Sequence, residues 1–220
     1  MSGVYRISPP APPPPTPILP NWLWAECLPA SRRTIEYAMK RGLTRKEIDE
    51  FRIGTLKGWA LDYPYNLNNY DQWMVIPTFH HDELMGIKLR NMGDGPRYMS
   101  IKGSKASLWG YNDVYLKPDV VILAKGEIAA MVLRRYGFLS CALTSGEGGR
   151  LDHILFALSL AKVIVIGDND KAGREAGEKR AALLAAPLYF PPEKYKDIDE
   201  FLVSEPFRAA EVIRKWTEER

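Results

Sequence analysis

The sequence has few cysteines and no long apolar run. Its two cysteines, Cys27 and Cys141, stand apart from each other, which excludes a disulfide framework and the paired CxxC spacing of a zinc ribbon. No apolar run approaches the roughly 20 residues of a membrane span, and the N-terminus lacks a charged start followed by an apolar signal core. We therefore expect a cytoplasmic protein that does not associate with membranes.

The remaining composition is that of a globular protein with a slight excess of positive charge. Of the 220 residues, 46% are hydrophobic and the net charge is +3, so the chain can bury a sizeable core and its charge permits nucleic-acid binding without requiring it. Prolines are concentrated in residues 9–20, PPAPPPPTPILP, a composition typical of extended polyproline II. We interpret residues 1–30 as a tail that serves as a spacer or as a docking peptide for a partner.

Residues 31–117 predict a small α+β subdomain. SRRTIEYAMKRGLTRKEIDEF predicts two short helices, the second opened by a capping box of Thr44 and Glu47. WMVIPTF, HHDELMG and IKLRN predict a strand, a turn and a strand. His80 and His81 fall in that turn, and adjacent histidines with no further ligand nearby are more typical of a solvated loop than of a metal site.

The segment from Leu84 to Gly110 is basic. Lys88 and Arg90 are two residues apart in a predicted strand, so they share one face. Cations displayed from a sheet suit phosphates, and aromatic side chains stack on bases; the alternative is a solvated strand face. The basic residues, with two interleaved aromatics, are Lys88, Arg90, Arg97, Tyr98, Lys102, Lys105 and Trp109.

Residues 118–203 alternate between apolar runs and helical patterns, and residues 204–220 predict a final helix. The predicted strands are DVVILA, FLSCALT, KVIVIG and PLYF. Strands that alternate with helices of this length predict right-handed crossovers and a mainly parallel sheet flanked by helices. The turns after the strands lie along one edge, where ligands bind in such sheets. Those turns are at Lys125, Ser145–Gly149, Gly167–Asp170 and Pro191–Asp199.

Four aspartates fall on this edge. Asp168 and Asp170 follow one predicted strand, and Asp197 and Asp199 follow the next, so the two pairs should converge. Carboxylates in one place repel each other unless cations lie between them, and hard oxygen ligands suit Mg²⁺ or Mn²⁺ in phosphoryl transfer. Each pair also has a structural interpretation, because turns are rich in Asp and Asp199 favours the positive end of a helix. The two pairs together, beside a basic segment, favour a metal site.

These motifs resemble a known family. A strand, GDNDKAG, a helix and then KDIDEFL are similar to the Toprim domain, the metal-binding α/β module of bacterial-type primases, topoisomerases and some nucleases. RGLTRKEIDEFRIG, WMVIPTFHHDELMGIKLRN and PRYMSIKGSKASLWG resemble the N-terminal half of the DnaG-like primase catalytic core. The resemblance covers roughly Ser31 to Leu202. It implies a Toprim-type sheet over residues 118–203, preceded by the smaller basic α+β subdomain.

The resemblance also implies a reaction and its residues: condensation of ribonucleoside triphosphates into short RNA primers on single-stranded DNA. The implied ligands of Mg²⁺ or Mn²⁺ are Asp168, Asp170, Asp197 and Asp199. The candidate catalytic positions are Asp168 and Asp170, which the resemblance implies, together with Lys125 and Glu127 at the end of the first strand of this domain. The implied contacts to nucleotide or template phosphates are Lys88, Arg90, Arg97 and Lys102.

One strand end departs from the family pattern. The family has Glu-Gly followed by an Asp, whereas VVILAKGEIAAM places Lys125 at the Glu position and Ala129 at the Asp position. A protonated lysine cannot ligate magnesium. Glu127 and Glu147 are candidate replacements, although each also suits a helix N-terminus. Three interpretations of Lys125 stay open: a direct phosphate contact, a degenerate site or an engineered inactive form.

Two functions follow from these features. The first is a primase, in the style of a compact phage or mobile-element enzyme, and the second is a catalytically weakened Toprim module that binds nucleic acid or a replication partner without synthesis. A nuclease would not need the primase-like upstream half. No zinc-binding module or helicase domain is evident in the sequence, so a separate zinc-binding template-recognition protein or a replicative helicase is an expected partner.

Overall fold

The computed structural model describes residues 19, 22–56, 70–101, 103–116, 118–144, 152–159 and 161–219. Three predicted features lie outside these ranges. They are most of the proline-rich run, Lys102 and the turn Ser145–Gly149 that contains Glu147.

The first half of the described chain forms an antiparallel sheet preceded by short helices. The elements are α1 (Trp22–Ala25), α2 (Arg32–Lys40), α3 (Arg45–Glu50), β1 (Gly54–Thr55), β2 (Trp73–His80), β3 (Glu83–Asn91) and β4 (Tyr98–Ser100), with strand order β1-β2-β3-β4. The predicted capping box opens α3, where the Glu47 amide donates to the Thr44 hydroxyl and the Thr44 amide donates to the Glu47 carboxylate. These reciprocal bonds satisfy two amides that a helix start leaves without partners.

Helix α1 lies inside the segment interpreted as a tail. Leu23 and Cys27 are buried against the first sheet, and the amide of Thr55 donates to the carbonyl of Cys27 at 2.9 Å. The packed structure therefore begins before residue 31.

The predicted hairpin is present, but its turn is only His81 and Asp82. The expectation that His80 lies in a solvated turn is wrong. His80 ends β2 as a buried residue, its ring stacks on Tyr111 at a centroid distance of 3.9 Å, and its Nε2 atom lies 2.6 Å from the Ser107 hydroxyl. Both partners come from later in the chain, so the local pattern around the histidines did not reveal them.

The second half forms the mainly parallel α/β layer that the alternation predicts, which confirms the fold class. The strands are β5 (Leu108–Trp109), β6 (Val120–Ala124), β7 (Ser140–Leu143), β8 (Lys162–Ile166) and β9 (Leu188–Tyr189), in the order β5-β7-β6-β8-β9. The helices are α4 (Tyr111–Tyr115), α5 (Glu127–Arg135), α6 (Asp152–Ser159), α7 (Lys171–Leu184), α8 (Ile198–Ser204) and α9 (Pro206–Glu218). The pairs β6–β7, β6–β8 and β8–β9 are parallel, and β5 runs antiparallel to β7.

One hydrophobic core joins the two halves. Buried side chains from α2, α3 and β2 pack with those of α5, β6 and β8, among them Ala38, Ile48, Ile76, Val132 and Ile164. This shared core fixes β3 and the carboxyl ends of β6 and β8 relative to each other. Within the described ranges, no helix has the length and apolar character needed to cross a membrane.

Candidate functional site

A cleft of about 220 Å³ lies between the basic strand β3 and the carboxyl ends of β6 and β8. It is lined by every predicted site residue that the structure describes: Lys88, Arg90, Arg97, Lys125, Glu127, Asp168, Asp170, Asp197 and Asp199. Trp109, which the sequence placed in the basic segment, instead packs in β5 against Phe51 and Arg134. The fold thus brings the predicted basic residues and the predicted acidic residues together in one cleft.

The first aspartate pair lies in the turn between β8 and α7. Asp170 caps α7, because its Oδ1 atom accepts from the amide of Gly173 at 2.7 Å, and this bond lowers the pKa of Asp170. A Cβ atom on Gly173 would lie 2.6 Å from the Cβ of Asp168. Glycine at this position therefore lets the first turn of α7 approach the carboxylate turn closely.

Asn169, between these two aspartates, ties the two aspartate pairs together. Its side-chain Nδ2 donates to the carbonyls of Tyr195 at 2.8 Å and Pro191 at 2.9 Å, and its amide donates to the carbonyl of Lys196 at 2.8 Å. The turn after β8 is thereby bonded to the residues that precede Asp197. The sequence pattern does not identify this role, although an amide side chain between two aspartates of a turn is suited to it.

The second aspartate pair begins α8 and faces Arg41. Asp197 caps α8 by accepting from the amide of Glu200 at 3.0 Å. Asp199 is buried and accepts from Arg41 Nη2 at 2.5 Å, while Arg41 lies 3.8 Å from Asp197. Burial raises the pKa of Asp199 to about 7, with Arg41 acting in the opposite direction. Arg41 was missed because a basic residue at a helix C-terminus is already explained by the helix dipole.

Lys125 lies within the acidic side of the cleft. It follows β6, and its Nζ atom is 2.7 Å from Oδ2 of Asp168 and 3.8 Å from Oδ1 of Asp170. Burial raises the pKa of Asp168, and the contact with Lys125 opposes that rise. The position that carries a carboxylate in the family pattern thus carries a cation that binds a neighbouring carboxylate.

Glu127, a candidate replacement for the missing carboxylate, is paired elsewhere. It begins α5 and is 2% exposed. Both of its carboxylate oxygens accept from Lys88 Nζ, at 2.9 and 3.0 Å. The charge of Lys88 is therefore balanced within the protein, as is that of Glu127.

Arg90 is held on the basic side of the cleft by aromatic residues. Its Nε donates to the Tyr37 hydroxyl at 2.8 Å, and its guanidinium lies 4.4 Å from the centroid of the Tyr98 ring. Tyr98 is the partner of Arg90 in the β3–β4 pairing, and Lys88 Nζ is 4.9 Å from the same ring. Cations packed against aromatic rings are suited to a nucleic-acid site, because the cations bind phosphates and the rings stack on bases.

The carboxylates, as placed, do not form a divalent-metal site. Among the residues that the structure describes, no group of three or more Asp, Glu, His or Cys side chains is placed to hold an ion. Asp168 and Asp199 each bond a cationic side chain, and Asp170 and Asp197 each use one oxygen as a helix cap. The donors are of the chemical type that Mg²⁺ prefers, but internal cations compete for them. The four-aspartate ligand set therefore stays a prediction.

Comparison with known proteins shows the fold. No protein-family model matches the chain, and no curated protein matches it by sequence. Solved primase structures do match. The Aquifex aeolicus primase, comprising its zinc-binding and RNA polymerase domains, is 20% identical with a TM-score of 0.71, and the match covers 90% of this chain and 59% of that one.

Two further structures give the same result. The DnaG primase catalytic domain bound to single-stranded DNA is 21% identical with a TM-score of 0.65, and the match covers 86% of this chain and 77% of that one. The RNA polymerase domain of Mycobacterium tuberculosis primase DnaG is 14% identical with a TM-score of 0.68, covering 91% and 80%. The chain thus has the fold of a primase catalytic core.

Proposed function

We propose that the chain is a primase-type protein that holds single-stranded DNA in the cleft and synthesises short RNA primers on it during replication. The observation that carries the proposal is the opposition, within one cleft, of the cationic residues of β3 and the carboxylates that follow β8. The shared fold with primase catalytic cores supports it. So does the single-stranded DNA bound to one of those cores.

The residues of the cleft suggest a division of roles. Arg90 and Arg97 would bind phosphates of the template or of an incoming ribonucleoside triphosphate, since guanidinium groups form paired hydrogen bonds to phosphate oxygens. In primer synthesis a 3′-hydroxyl attacks the α-phosphorus of a nucleoside triphosphate and pyrophosphate leaves. The proposal includes a requirement for Mg²⁺ or Mn²⁺, with the carboxylates of Asp168 and Asp170 as the side chains on which synthesis depends.

A second function is favoured by the contact between Lys125 and Asp168. With Lys125 in place, Asp168 is already paired with an internal cation. A site of this kind can bind nucleic acid or a replication partner through its basic face without joining nucleotides. Loss of synthesis with retention of binding is the expected behaviour of such a module.

The surrounding predictions belong to the same proposal. A replicative helicase or a separate zinc-binding protein would direct the chain to its template, and the tail would serve as a spacer or docking segment. A cytoplasmic location and an origin in a phage or mobile element likewise stay predictions.

The deciding experiment is primer synthesis on single-stranded DNA with labelled ribonucleotides and Mg²⁺ or Mn²⁺, with EDTA in a parallel reaction. The proteins are the unaltered chain, Asp168→Ala, Lys125→Glu and a control, Asp49→Ala, which removes an exposed aspartate paired with Arg45. Synthesis by the unaltered and control proteins, lost in Asp168→Ala, supports the primase. Synthesis by Lys125→Glu alone supports the binding module. Binding of the same proteins to a labelled single-stranded oligonucleotide is measured in parallel, and absence of both synthesis and binding in every protein contradicts both functions.

A further inference from the structure

The acidic edge of the cleft carries its own counter-ions. Lys125 Nζ lies 2.7 Å from Asp168, Arg41 Nη2 lies 2.5 Å from Asp199, and Lys196 Nζ lies 3.7 Å from Asp170. Carboxylates gathered in one place repel each other unless positive charge lies between them. Here positive charge comes from side chains of the protein itself.

Among these cations, Lys125 has the most central position. Of these three cations, it is the one that approaches both members of the first aspartate pair, at 2.7 Å from Asp168 Oδ2 and 3.8 Å from Asp170 Oδ1. Its side chain is 35% exposed, whereas that of Asp168 is 14% exposed. The contact is therefore screened by water only in part, and it occupies one of the two carboxylate oxygens of Asp168.

We infer that Lys125 is a built-in cation that takes the place of a divalent metal ion beside Asp168 and Asp170, so that the chain alone binds metal weakly at this edge. A metal ion that ligated Asp168 through Oδ2 would have to displace the ammonium group, and one bound through the other oxygen would be repelled by its charge. The inference concerns metal binding by the free protein. It therefore does not depend on whether the cleft synthesises primers or only binds DNA.

The inference also accounts for the retention of the carboxylates. Without a metal or a cation, Asp168, Asp170 and Asp197 would destabilise the turn by mutual repulsion, and the nearby charges of Asp197 and Asp170 act to raise the pKa of Asp168. Lys125 offsets part of this repulsion through its contacts with Asp168 and Asp170. The carboxylates are thus retained, and the cation beside them is a side chain of the protein.

The test is Mn²⁺ binding to the full chain, measured from the loss of the free-ion signal in electron paramagnetic resonance, with no nucleotide or DNA present. Lys125→Met removes the charge and keeps an unbranched side chain that is one atom shorter, and its thioether sulfur is a poor ligand for Mn²⁺. The matched control is Lys196→Met, which removes a cation 3.7 Å from Asp170 that does not contact Asp168. The double variant Lys125→Met/Asp168→Asn shows whether any gained binding uses the predicted carboxylate.

We expect Lys125→Met to bind Mn²⁺ at least about tenfold more tightly than the unaltered chain, because a repelling charge and a competing hydrogen bond are both removed. Lys196→Met should change the affinity by less than about threefold, since its longer contact is screened by solvent. The double variant should lose the gain. Equal Mn²⁺ affinity in the unaltered chain and Lys125→Met would overturn the inference, as would a gain that persists in the double variant.

A second measurement covers the case in which Lys125→Met is poorly folded. Thermal unfolding of each protein is followed with and without Mn²⁺. Removal of Lys125 leaves the repelling carboxylates unbalanced, so Lys125→Met should unfold at a lower temperature than the unaltered chain and recover when Mn²⁺ is added, because a ligand that binds only the folded state stabilises it. The unaltered chain should show little response to Mn²⁺. A large response of the unaltered chain, or none of Lys125→Met, would contradict the inference.

Discussion

Lys88 and Glu127 form an ion pair that spans the cleft, with Lys88 Nζ at 2.9 and 3.0 Å from the two carboxylate oxygens. Lys88 belongs to β3 of the antiparallel sheet, and Glu127 begins α5 of the parallel layer. The side chains are 17% and 2% exposed. The pair thus links the two layers, and it also ties a predicted phosphate-binding residue to a predicted catalytic one.

Breaking this pair on one side should cost stability. Lys88→Met leaves the buried Glu127 carboxylate without its cation, and we expect the free energy of unfolding to fall by about 3 kcal/mol. The double variant Lys88→Met/Glu127→Gln should recover much of that loss, because no buried charge is left unpaired. Urea denaturation of the unaltered chain, Lys88→Met, Glu127→Gln and the double variant measures both effects. If Lys88→Met were as stable as the unaltered chain, the ion pair would be a solvated contact that does not contribute to the free energy of unfolding.

The convergence of the four aspartates was predictable because it depends on local patterns. Apolar runs followed by Asp, with one helix between them, place side chains at the carboxyl ends of neighbouring parallel strands, and β8 does pair with β9. The pairing of Lys88 with Glu127 depends instead on how two separate layers pack. The same holds for Arg41 with Asp199. Sequence spacing within one element carries no information about such contacts.

Local chemistry also misled the prediction in one place. The pair of histidines has the polar character of a turn, yet β2 continues through His80 because Tyr111 and Ser107 bury its ring. For Asn169, local chemistry was a correct guide but an incomplete one. An amide side chain suits a residue that anchors a turn, but the carbonyls that Asn169 bonds lie in a loop whose position depends on the fold.

Arg90 should contribute to the binding of single-stranded DNA. We expect Arg90→Ala to weaken binding and to reduce the slope of log affinity against log salt by about 0.7, the value for one phosphate contact on a single strand. The matched control is Arg32→Ala, an exposed arginine of α2 that pairs with Glu36. Fluorescence anisotropy with a labelled oligonucleotide over a range of salt concentrations gives both quantities. An unchanged slope in Arg90→Ala would mean that this face of β3 is only solvated.

Asn169 should be important for the geometry of the acidic edge. Asn169→Ala removes the donors to the Tyr195 and Pro191 carbonyls, and we expect a loss of about 2 kcal/mol in the free energy of unfolding. The control is Asn112→Ala, which removes one exposed acceptor of the His81 amide and should cost less. Limited proteolysis should cut the loop before Asp197 faster in Asn169→Ala. Equal stability and equal cleavage in the two variants would show that this loop is held by other contacts.

Glu47 should make stability depend on pH in the acid range. Its carboxylate accepts from Arg135 Nε at 2.8 Å and from the Thr44 amide at 2.7 Å, and these bonds outweigh burial and lower its pKa below the ordinary value of 4.5. A group whose pKa is lowered by folding stabilises the folded state above its unfolded pKa. That contribution is lost as the pH falls through the lowered value.

The comparison that isolates this effect is between the unaltered chain and Glu47→Gln. At pH 7 we expect the variant to be less stable by about 1 kcal/mol, since the capping bond and the charge-assisted bond from Arg135 are weakened. As the pH is lowered below about 4.5, where the unfolded carboxyl takes up its proton, the difference should shrink, because the unaltered chain loses a contribution that Glu47→Gln never has. Urea denaturation at a series of pH values between 7 and 3 measures the difference. A stability gap that stays constant over this range would show that the Glu47 carboxylate is not stabilised by its partners.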